Sequence, residues 1–339
     1  MLETVKALCA LDGVSGREDK IREYIISRIE GNAEYSVDAL GNLIVFKKGR
    51  NAPKNKVMLD AHTDEVGLII TFITDDGLLK FTPVGGINPS VLVGRSVKVG
   101  DKMLSGAIGI KPVHLLKESE EKTLPETDAM YIDIGASDKS EAQKYVSPGD
   151  IAFFDSDPVE FGTDKIKARA LDDRVGCAVM IKMLETQLEY DAWFSFSSQE
   201  ETGTRGATAA AFTVAPDYAI VLETTTAADI IDVPAQNRVC LLGNGPAVSF
   251  MDRSTVYDKM LYNTVFEVAA KNNIKCQPKT AVAGGNDAGA IHKSRSGVKT
   301  VTLSTPCRYL HSASCVIDKN DARETLRLAI ALFEELCNA

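Results

Sequence analysis

The sequence predicts an α/β fold with a smaller all-β domain inserted into it. From about residue 165 onward, helical and strand periods alternate along the chain. Residues 68 to about 162 instead contain short alternating strands, separated by glycine and proline turns, and almost no helix. A chain of 339 residues also exceeds the usual size of one hydrophobic core. We therefore expect an α/β domain formed by residues 1–67 plus 163–339, and an inserted β domain formed by residues 68–162.

The periodicity of apolar residues places the elements of the α/β part. Helices are predicted near 3–11, 17–29, 173–188, 204–213, 255–272 and 320–338. Strands are predicted near 192–198, 217–223, 238–249 and 298–303. This alternation is typical of a sheet that is covered by helices on both faces.

Composition excludes several classes of partner. The net charge of −9 argues against nucleic acid or an anionic membrane as a main partner. The longest apolar run, residues 66–73, is too short to span a bilayer, and no basic and apolar leader opens the chain. Seven cysteines without C-x-x-C spacing are typical of reduced, mostly buried thiols, so we expect a cytoplasmic protein.

Carboxylates follow two of the short apolar segments directly. The segment 193–201 (WFSFSSQEE) ends in Glu200 and Glu201, and successive side chains at a strand end point in opposite directions. One of these acids can therefore ligate a metal while its neighbour reaches another point of the same cleft. The segment 56–67 (KVMLDAHTDEVG) leads into His62 and Asp64, whose side chains leave the backbone on one side.

Two further segments carry acids in comparable positions. Glu223 ends the buried-type strand 218–223, while Asp172 and Asp173 precede an apolar-periodic stretch, where an N-cap and first helical turn are expected. Ligands of open α/β sheets bind at the carboxyl ends of the strands, so these acids are expected to share one cleft. Such a cluster needs a positive charge to offset its repulsion, and a divalent metal supplies it.

The histidines indicate how many metals are bound. His62 lies beside Asp64, and His311 lies in a loop before the last helix. Two histidines and three carboxylates suit a site for two metals, in which one carboxylate bridges them, and N/O ligands favour Zn²⁺, Co²⁺ or Mn²⁺. His114 and His292 are interpreted as structural. A zinc knuckle at Cys307-x3-His311-x3-Cys315 is disfavoured, because no fourth soft ligand lies nearby in the sequence.

Five motifs, in this order, resemble those of the tetrahedral (TET-type) dinuclear metallo-aminopeptidases over essentially the whole chain. They are AHTDEVG (61–67), ALDDRVG (170–176), QEETGTRG (199–206), GGNDAG (284–289) and RYLHS (308–312). That family includes glutamyl, leucyl, lysyl and deblocking aminopeptidases, and some members are described as endoglucanases. The resemblance implies a zinc-peptidase-like α/β/α catalytic domain whose inserted β domain, PDZ-like or a barrel, serves dimerisation.

The resemblance also implies roles for individual residues. Terminal metal ligands would be His62 and either Glu201 or Glu223, while Asp172 would bridge the two metals and His311 would supply the other imidazole. Two further roles are implied for Glu200, as general base, and for Asp64, as the carboxylate that orients His62.

Two positions depart from the commonest pattern of that family. Many members have Asp where Glu223 stands, and the extra methylene of glutamate changes the geometry around one metal. Many also have Thr where Asn286 stands. Asn286 and Asp287 are interpreted either as walls of the site or as a structural helix start.

The implied chemistry is removal of N-terminal residues from short peptides by water that two metals activate, with Glu200 moving the proton. A metallo-carboxypeptidase or deacylase of the same clan is the nearest alternative. A glycoside hydrolase, which also uses paired carboxylates, and a non-enzymatic scaffold are the more distant ones. The resemblance further implies two-fold dimers that assemble into a hollow tetrahedral dodecamer with inward-facing active sites.

Overall fold

The computed structural model describes residues 1–115, 123 and 125–339. The helices of this part are α1 (Leu2–Ala10), α2 (Asp19–Ile29), α3 (Lys139–Ala142), α4 (Leu171–Leu184), α5 (Arg205–Val214), α6 (Lys259–Lys271), α7 (Ala288–Ile291) and α8 (Lys319–Asn338). The strands are β1 (Glu34–Val37), β2 (Leu43–Lys47), β3 (Val57–His62), β4 (Gly67–Ile73), β5 (Leu79–Val84), β6 (Ser96–Val99), β7 (Leu104–Gly109), β8 (Tyr131–Asp133), β9 (Ile151–Phe154), β10 (Val159–Phe161), β11 (Lys165–Ala168), β12 (Ala192–Ser197), β13 (Tyr218–Thr226), β14 (Ala247–Ser249), β15 (Gln277–Lys279), β16 (Lys299–Arg308) and β17 (Cys315–Asp318).

A long mixed sheet forms the centre of the molecule. Its strands follow the order β1-β2-β12-β3-β13-β16-β17-β11-β10, and β14 and β15 join it beside β16. The four central strands β12, β3, β13 and β16 are mutually parallel. All six residues of β3 are buried, as expected for a parallel strand with both faces covered. The carboxyl ends of these four strands therefore meet at one edge of the sheet.

Helices cover both faces of this sheet, which confirms the predicted α/β/α arrangement. Val57 and Leu59 of β3 pack in the largest core with α1, α2, α4, α6 and α8. Met58, between them in sequence, packs on the opposite face with α5 and α7. Successive side chains of a strand point to opposite faces, so β3 contributes to both cores.

The inserted segment forms a closed barrel, which is one of the two predicted architectures. Its strands are arranged in the order β4-β5-β8-β7-β6-β9 around a core that includes Leu68, Val97 and Ile132. Residues 116–122 and 124 of the predicted insertion lie outside the described residues. Strand β10 pairs with β11 in the long sheet rather than with the barrel. The domain division at residues 68–162 stays a prediction.

The strand predicted near 238–249 is wrong over most of its length, since only Ala247–Ser249 is a strand. Side chains bind the backbone of residues 241–245, while the amides of residues 239 and 240 donate hydrogen bonds to the carbonyl of Ala227. Gln277 accepts a hydrogen bond from the amide of Leu241 and donates one to its carbonyl. The carboxylate of Asp321 accepts hydrogen bonds from the amides of residues 243 and 245. Such long-range side-chain contacts leave no local sequence signal.

Aspartates set the start of two of the predicted helices. The predicted helix near 255–272 begins only at α6, because the Asp258 carboxylate accepts a hydrogen bond from the amide of Leu261 at 2.8 Å. Helix α8 begins where predicted, with Asp318 accepting from the amide of Asn320 at 2.7 Å.

Candidate metal centre

Three parallel strands deliver side chains to the same edge of the sheet. His62 is the last residue of β3 and pairs in register with Ser197, the last residue of β12. Glu200 and Glu201 follow β12 after Ser198 and Gln199, and Glu223 lies towards the carboxyl end of β13. The acids and the histidine that the sequence placed at strand ends are therefore neighbours in space. The prediction that the two glutamates end the strand is wrong, because Gln199 adopts φ +56° and the chain turns there.

Asp172 reaches this edge from the start of α4 with an extended backbone. Its dihedral angles are φ −86° and ψ 108°, those of Asp173 are φ −118° and ψ 47°, and the peptide bond between them is cis. The prediction of a first helical turn at Asp172 is therefore wrong. Asp173 caps the regular part of the helix, because its carboxylate accepts a hydrogen bond from the amide of Gly176 at 3.0 Å.

The two oxygens of Asp172 face different histidines. Oδ1 lies 3.4 Å from Nε2 of His62, which is also 4.0 Å from Oε2 of Glu223. Oδ2 lies 3.3 Å from Nε2 of His311, which in turn is 3.4 Å from Oε1 of Glu201. One carboxylate thus joins two sets of donors, each of which contains one imidazole and one further carboxylate.

These distances fit metal ligation better than hydrogen bonding. A nitrogen–oxygen hydrogen bond is normally about 2.7–3.2 Å long, whereas two ligands of a tetrahedral zinc ion, each bound at about 2.0–2.1 Å, lie roughly 3.3–3.4 Å apart. Oδ1 of Asp172 is buried and has no hydrogen-bond partner. The ligand atoms of His62, Asp172 and Glu223 lie within 4.8 Å of one another, and so do those of Asp172, Glu201 and His311. Each set can hold one cation.

The close approach of several ionisable groups also indicates a cation site. Burial, reinforced by neighbouring carboxylates, raises the pKa of Glu201 and Glu223 well above the usual range. Burial opposes protonation of His311, but Asp172 and Glu201 outweigh it and raise the pKa of His311 to about 10. Without a cation, the cluster therefore retains protons that a divalent ion would replace.

Asp64 holds the residues around this cluster rather than facing it. Its carboxylate lies 3.3 Å from Nδ1 of His62 and accepts hydrogen bonds from the amides of Glu200 (2.9 Å) and Glu201 (3.1 Å). The hydroxyl of Ser15 donates a fourth contact at 2.6 Å. Nδ1 of His62 thus faces Asp64, both its carboxylate and its main-chain carbonyl, which leaves Nε2 directed at Asp172 and Glu223.

The barrel segment orients the second histidine. Nδ1 of His311 lies 2.7 Å from the carbonyl oxygen of Gly86, in the loop after β5. A carbonyl only accepts hydrogen bonds, so Nδ1 carries a proton and Nε2 is the nitrogen that faces Asp172 and Glu201 and could ligate a cation once deprotonated. This contact could not be predicted from the sequence, because a main-chain carbonyl has no residue-specific signature.

Glu200 lies within reach of the same cluster. Burial is the main cause that raises the pKa of Glu200 to about 8; His62 opposes this rise and Asp287 adds to it. A third set of ligand atoms, those of His62, Glu200 and Glu201, also lies within 4.8 Å of one another. Glu200 can therefore exchange a proton near neutral pH beside both donor sets.

A cavity of about 480 Å³ opens over the cluster. Its walls include Asp172, Glu200, Glu201, Glu223 and His311. The cavity is large enough for an amino-acid residue with part of a peptide chain, and four carboxylates and one imidazole lie in its wall.

Comparison with known proteins identifies the family. The family model described as M42 glutamyl aminopeptidase matches residues 41–328. The chain belongs to the M42 aminopeptidase family. It is therefore an aminopeptidase, a hydrolase of the metallopeptidase class, as its motifs indicated.

Three relatives illustrate this membership. Lysyl aminopeptidase of Pyrococcus furiosus is 33% identical over 98% of this chain and 97% of its own. The TET1 peptidase of Pyrococcus horikoshii, described as assembling into a tetrahedron or a large octahedral shell, is 37% identical, with a TM-score of 0.86 over 98% of each chain. A Thermotoga maritima protein described as an endoglucanase is 37% identical, with a TM-score of 0.81 over 98% of this chain and 96% of that one.

Further buried acids of this M42 aminopeptidase lie beside the cluster. Asp60 and Asp173 are fully buried, and Asp287 accepts a hydrogen bond from the hydroxyl of Ser197 at 2.6 Å. Burial raises the pKa of Asp60 to about 7, and the pKa of the other two well above the usual range. Asn286, interpreted from the sequence as a site wall or a helix start, is buried and lines the cavity. Sequence reasoning missed Asp60, although an aspartate within an apolar strand was its signal.

The histidines and cysteines that the sequence did not assign to the metal site are not part of the candidate ligand sets of the described residues. His114 is exposed, and Nδ1 of His292 contacts the carbonyl of Ala288 at 2.7 Å. Among the described residues, neither histidine belongs to a group that could hold a metal, and neither do Cys307 and Cys315 of the disfavoured zinc knuckle. All seven cysteines are free thiols. Within the described part of the chain, no helix has the length and apolar character needed to cross a membrane.

Proposed function

We propose that this M42 aminopeptidase removes N-terminal residues from short peptides with two divalent cations, held on either side of Asp172. His62 and Glu223 would complete one set of ligands, and His311 and Glu201 the other. The observation that carries the proposal is that each oxygen of Asp172 faces a different imidazole at 3.3–3.4 Å. Glu223 is a candidate ligand despite its extra methylene, because its ligand atom lies within 4.8 Å of those of His62 and Asp172.

Divalent cations held there would polarise the scissile carbonyl and lower the pKa of a water molecule. Zn²⁺, Co²⁺ and Mn²⁺ all suit this mixture of imidazole and carboxylate ligands. The remaining steps belong to side chains of the protein.

Glu200 is the proposed general base and acid. Its carboxylate would accept the proton of the attacking water and then deliver it to the amine of the leaving peptide. Burial raises the pKa of Glu200 to about 8 in the metal-free protein, which leaves a group able both to accept and to return a proton. Asp64 would fix its backbone through the hydrogen bond from the amide of Glu200.

The N-terminal amine of the substrate gives the enzyme its exopeptidase character. Carboxylates line the cavity in which this amine would bind, and an acylated N-terminus cannot make the same contacts. A purified sample should therefore hydrolyse aminoacyl-p-nitroanilides but not their N-acetylated forms. Hydrolysis of the acetylated substrates at equal rates would favour the deacylase alternative, and release of reducing sugar by a metal-free sample would favour the glycosidase one.

We further propose that the chain assembles as its TET-type relatives do, through two-fold dimers that form a dodecamer with enclosed active sites. The described chain offers a reason for this, since its barrel forms a separate core and, among the described residues, supplies none of the proposed metal ligands. In this proposal, residues 68–162 form the domain through which subunits pack. The free thiols favour a cytoplasmic location, which stays a prediction.

A further inference from the structure

A buried lysine lies in the wall of the cavity that contains the metal centre. Lys279 is the last residue of β15, and its residue surface is 6% exposed. Its ammonium group donates a hydrogen bond to the carbonyl of Ala283 at 3.2 Å. Within the described part of the chain, Lys279 forms no ion pair with a carboxylate. The cavity thus contains a buried cation that forms no ion pair with a carboxylate of the described residues.

The other two buried Lys or Arg side chains of the described residues, Arg169 and Arg174, each lie beside a carboxylate. Arg169 forms a salt bridge with Glu65, and Arg174 lies 3.5 Å from the same carboxylate. Burying an ammonium without an opposite charge is costly, which is why buried charges are normally paired. Lys279 departs from this rule at a position that faces a substrate cavity, so its counter-charge is expected to come from the ligand.

The surroundings of Lys279 suit a polar substrate side chain. The wall of the cavity includes Thr225, Ser254 and Asn286, and glycines form another part of it. Among the described residues, phenylalanine, tyrosine, tryptophan and methionine do not occur in this lining, and its largest aliphatic side chains are Val239 and Leu310. A second lysine, Lys293, also lines the cavity, from an exposed position. Both cations would repel a lysine or arginine side chain.

We propose that Lys279 binds the side-chain carboxylate of an N-terminal glutamate or aspartate, so that the enzyme prefers acidic N-terminal residues. This inference rests on the proposed function, since it requires the N-terminal residue of the substrate to occupy the cavity. Family membership leaves the preference open, because the matching family model is described as glutamyl aminopeptidase and one relative as lysyl aminopeptidase.

The test compares neutral and charged substrates of the same shape. For the wild-type enzyme, kcat/KM should be at least about 30-fold higher for the p-nitroanilide of glutamate than for that of glutamine, because only glutamate neutralises the buried ammonium. In Lys279→Met this ratio should fall towards one, while the rates with glutamine and leucine stay within about threefold. Lys279→Arg should keep part of the preference, since it retains the charge.

Two lysines serve as matched controls. Lys293→Met removes a cation from the same cavity but at an exposed position, and should change the ratio by less than about fivefold. Lys275→Met, on the exposed surface before β15, should leave the ratio unchanged. Metal content by elemental analysis and circular dichroism should be equal in all variants. If Lys279→Met lowered the rates with all substrates equally, the lysine would have a structural role and the inference would be wrong.

A dipeptide could also offer its C-terminal carboxylate to Lys279. Hydrolysis of Leu-Ala and of its C-terminal amide separates these sources, because the lysine should not distinguish them if it binds the N-terminal side chain. A defect of Lys279→Met that was confined to the free dipeptide would overturn the inference. Calorimetric binding of L-glutamate, compared with L-glutamine, gives a readout independent of turnover, and equal binding would also overturn it.

The same data separate the two levels of inference. Wild-type enzyme that hydrolyses leucine substrates without preferring glutamate would contradict only the role of Lys279. Metal-loaded enzyme that hydrolyses no aminoacyl substrate would contradict the proposed function itself, while glutamate binding would still report on Lys279.

Discussion

At the scale of single residues, the proposed mechanism gives two neighbouring carboxylates different roles, metal ligation for Glu201 and proton transfer for Glu200. Glu201 lies 3.4 Å from Nε2 of His311 and groups with Asp172 and His311, whereas Glu200 groups with His62 and Glu201 and is not in the donor set of His311. Both acids lie in the turn after β12, and both amides bind Asp64, so one carboxylate can ligate while the other moves protons.

Replacing Glu200 by glutamine tests whether this residue transfers protons rather than ligating a metal. Glu200→Gln keeps the shape of the side chain but removes the proton acceptor, so kcat should fall by about 100- to 10,000-fold while the metal content stays unchanged. Elemental analysis and steady-state kinetics provide the measurement. The matched control Glu201→Gln should instead lower the metal content, and loss of metal in Glu200→Gln would assign that residue to ligation.

Asp64 should act on metal affinity without touching a metal. In Asp64→Ala the amides of Glu200 and Glu201 lose their acceptor and His62 loses its carboxylate partner, so metal affinity should fall by about 10- to 100-fold. Competition with a fluorescent chelator measures this change. Ser15→Ala removes only one of the contacts of Asp64 and should have a smaller effect. Equal effects in both variants would contradict the proposed role.

Residues of the site could be predicted where a local sequence pattern marks them, and could not where only a tertiary contact does. His62, Glu200 and Glu223 could be placed from the sequence, because polar residues that interrupt apolar strands mark strand ends. The carbonyl of Gly86 sets the orientation of the His311 ring. The charge of Lys279 points to a ligand only because no carboxylate of the described residues forms an ion pair with it. Both are properties of tertiary packing, which no local pattern records.

At the scale of elements, the loop after β5 connects the barrel to the metal centre. Gly85 adopts φ +83°, and a Cβ added there would lie 2.9 Å from Cγ1 of Val66 and 3.2 Å from Cβ of Glu201. The next residue, Gly86, holds His311. The barrel and the sheet therefore approach each other closely at the ligands themselves.

Gly85→Ala should displace this loop and loosen His311. We expect kcat/KM to fall by roughly tenfold or more, together with weaker metal binding, because a 1 Å misplacement of a catalytic group is costly. Gly94→Ala is a matched control, since Gly94 has φ +72° but nothing within 4 Å of an added Cβ. Both variants place a Cβ on a residue with positive φ, which lowers the free energy of unfolding by about 1–2 kcal/mol. The melting temperature should therefore fall in both variants, whereas activity should fall only in Gly85→Ala. Full activity in Gly85→Ala would argue against the contact.

The sequence predicted the strongly periodic elements well and the irregular ones poorly. Helix α8 lies where expected, because its apolar stripe and the Asp318 cap are both local features. Residues 238–246 are apolar enough to suggest a strand, but Gln277 and Asp321 bind their backbone from distant parts of the chain. Elements specified by local periodicity are predictable, and segments held by remote side chains are not.

At the scale of the whole molecule, metal and proton compete for the same ligands. Imidazoles must be unprotonated to bind metal, and neighbouring carboxylates raise the pKa of His311 to about 10. Below that pH the metal-free site holds a proton on the imidazole, so apparent metal affinity should fall steadily between about pH 9 and pH 6. A chelator competition series across this range measures the slope.

Chelation should abolish peptidase activity, and Zn²⁺, Co²⁺ or Mn²⁺ should restore it. A sample that stays fully active in excess chelator after long incubation, and that contains no metal by elemental analysis, would contradict the proposed mechanism.

The proposed assembly makes a separate prediction. Light scattering should give a mass close to twelve times the subunit mass of 36.6 kDa, or twice the subunit mass where assembly stops at the dimer. Enclosed active sites should also make oligopeptides much better substrates than folded proteins, which mass spectrometry of both digests would measure. A fully active monomer would exclude enclosure and leave the metal chemistry unaffected.

The contacts of the metal centre also have a consequence for biosynthesis. The candidate ligands extend along the chain from His62 to His311, and the carbonyl that orients the last of them belongs to Gly86. A ribosome-bound chain therefore lacks a complete centre until His311 has emerged and folded against the rest. Hydrolytic capacity arises only after all of these ligands have been synthesised and the barrel segment has met the sheet.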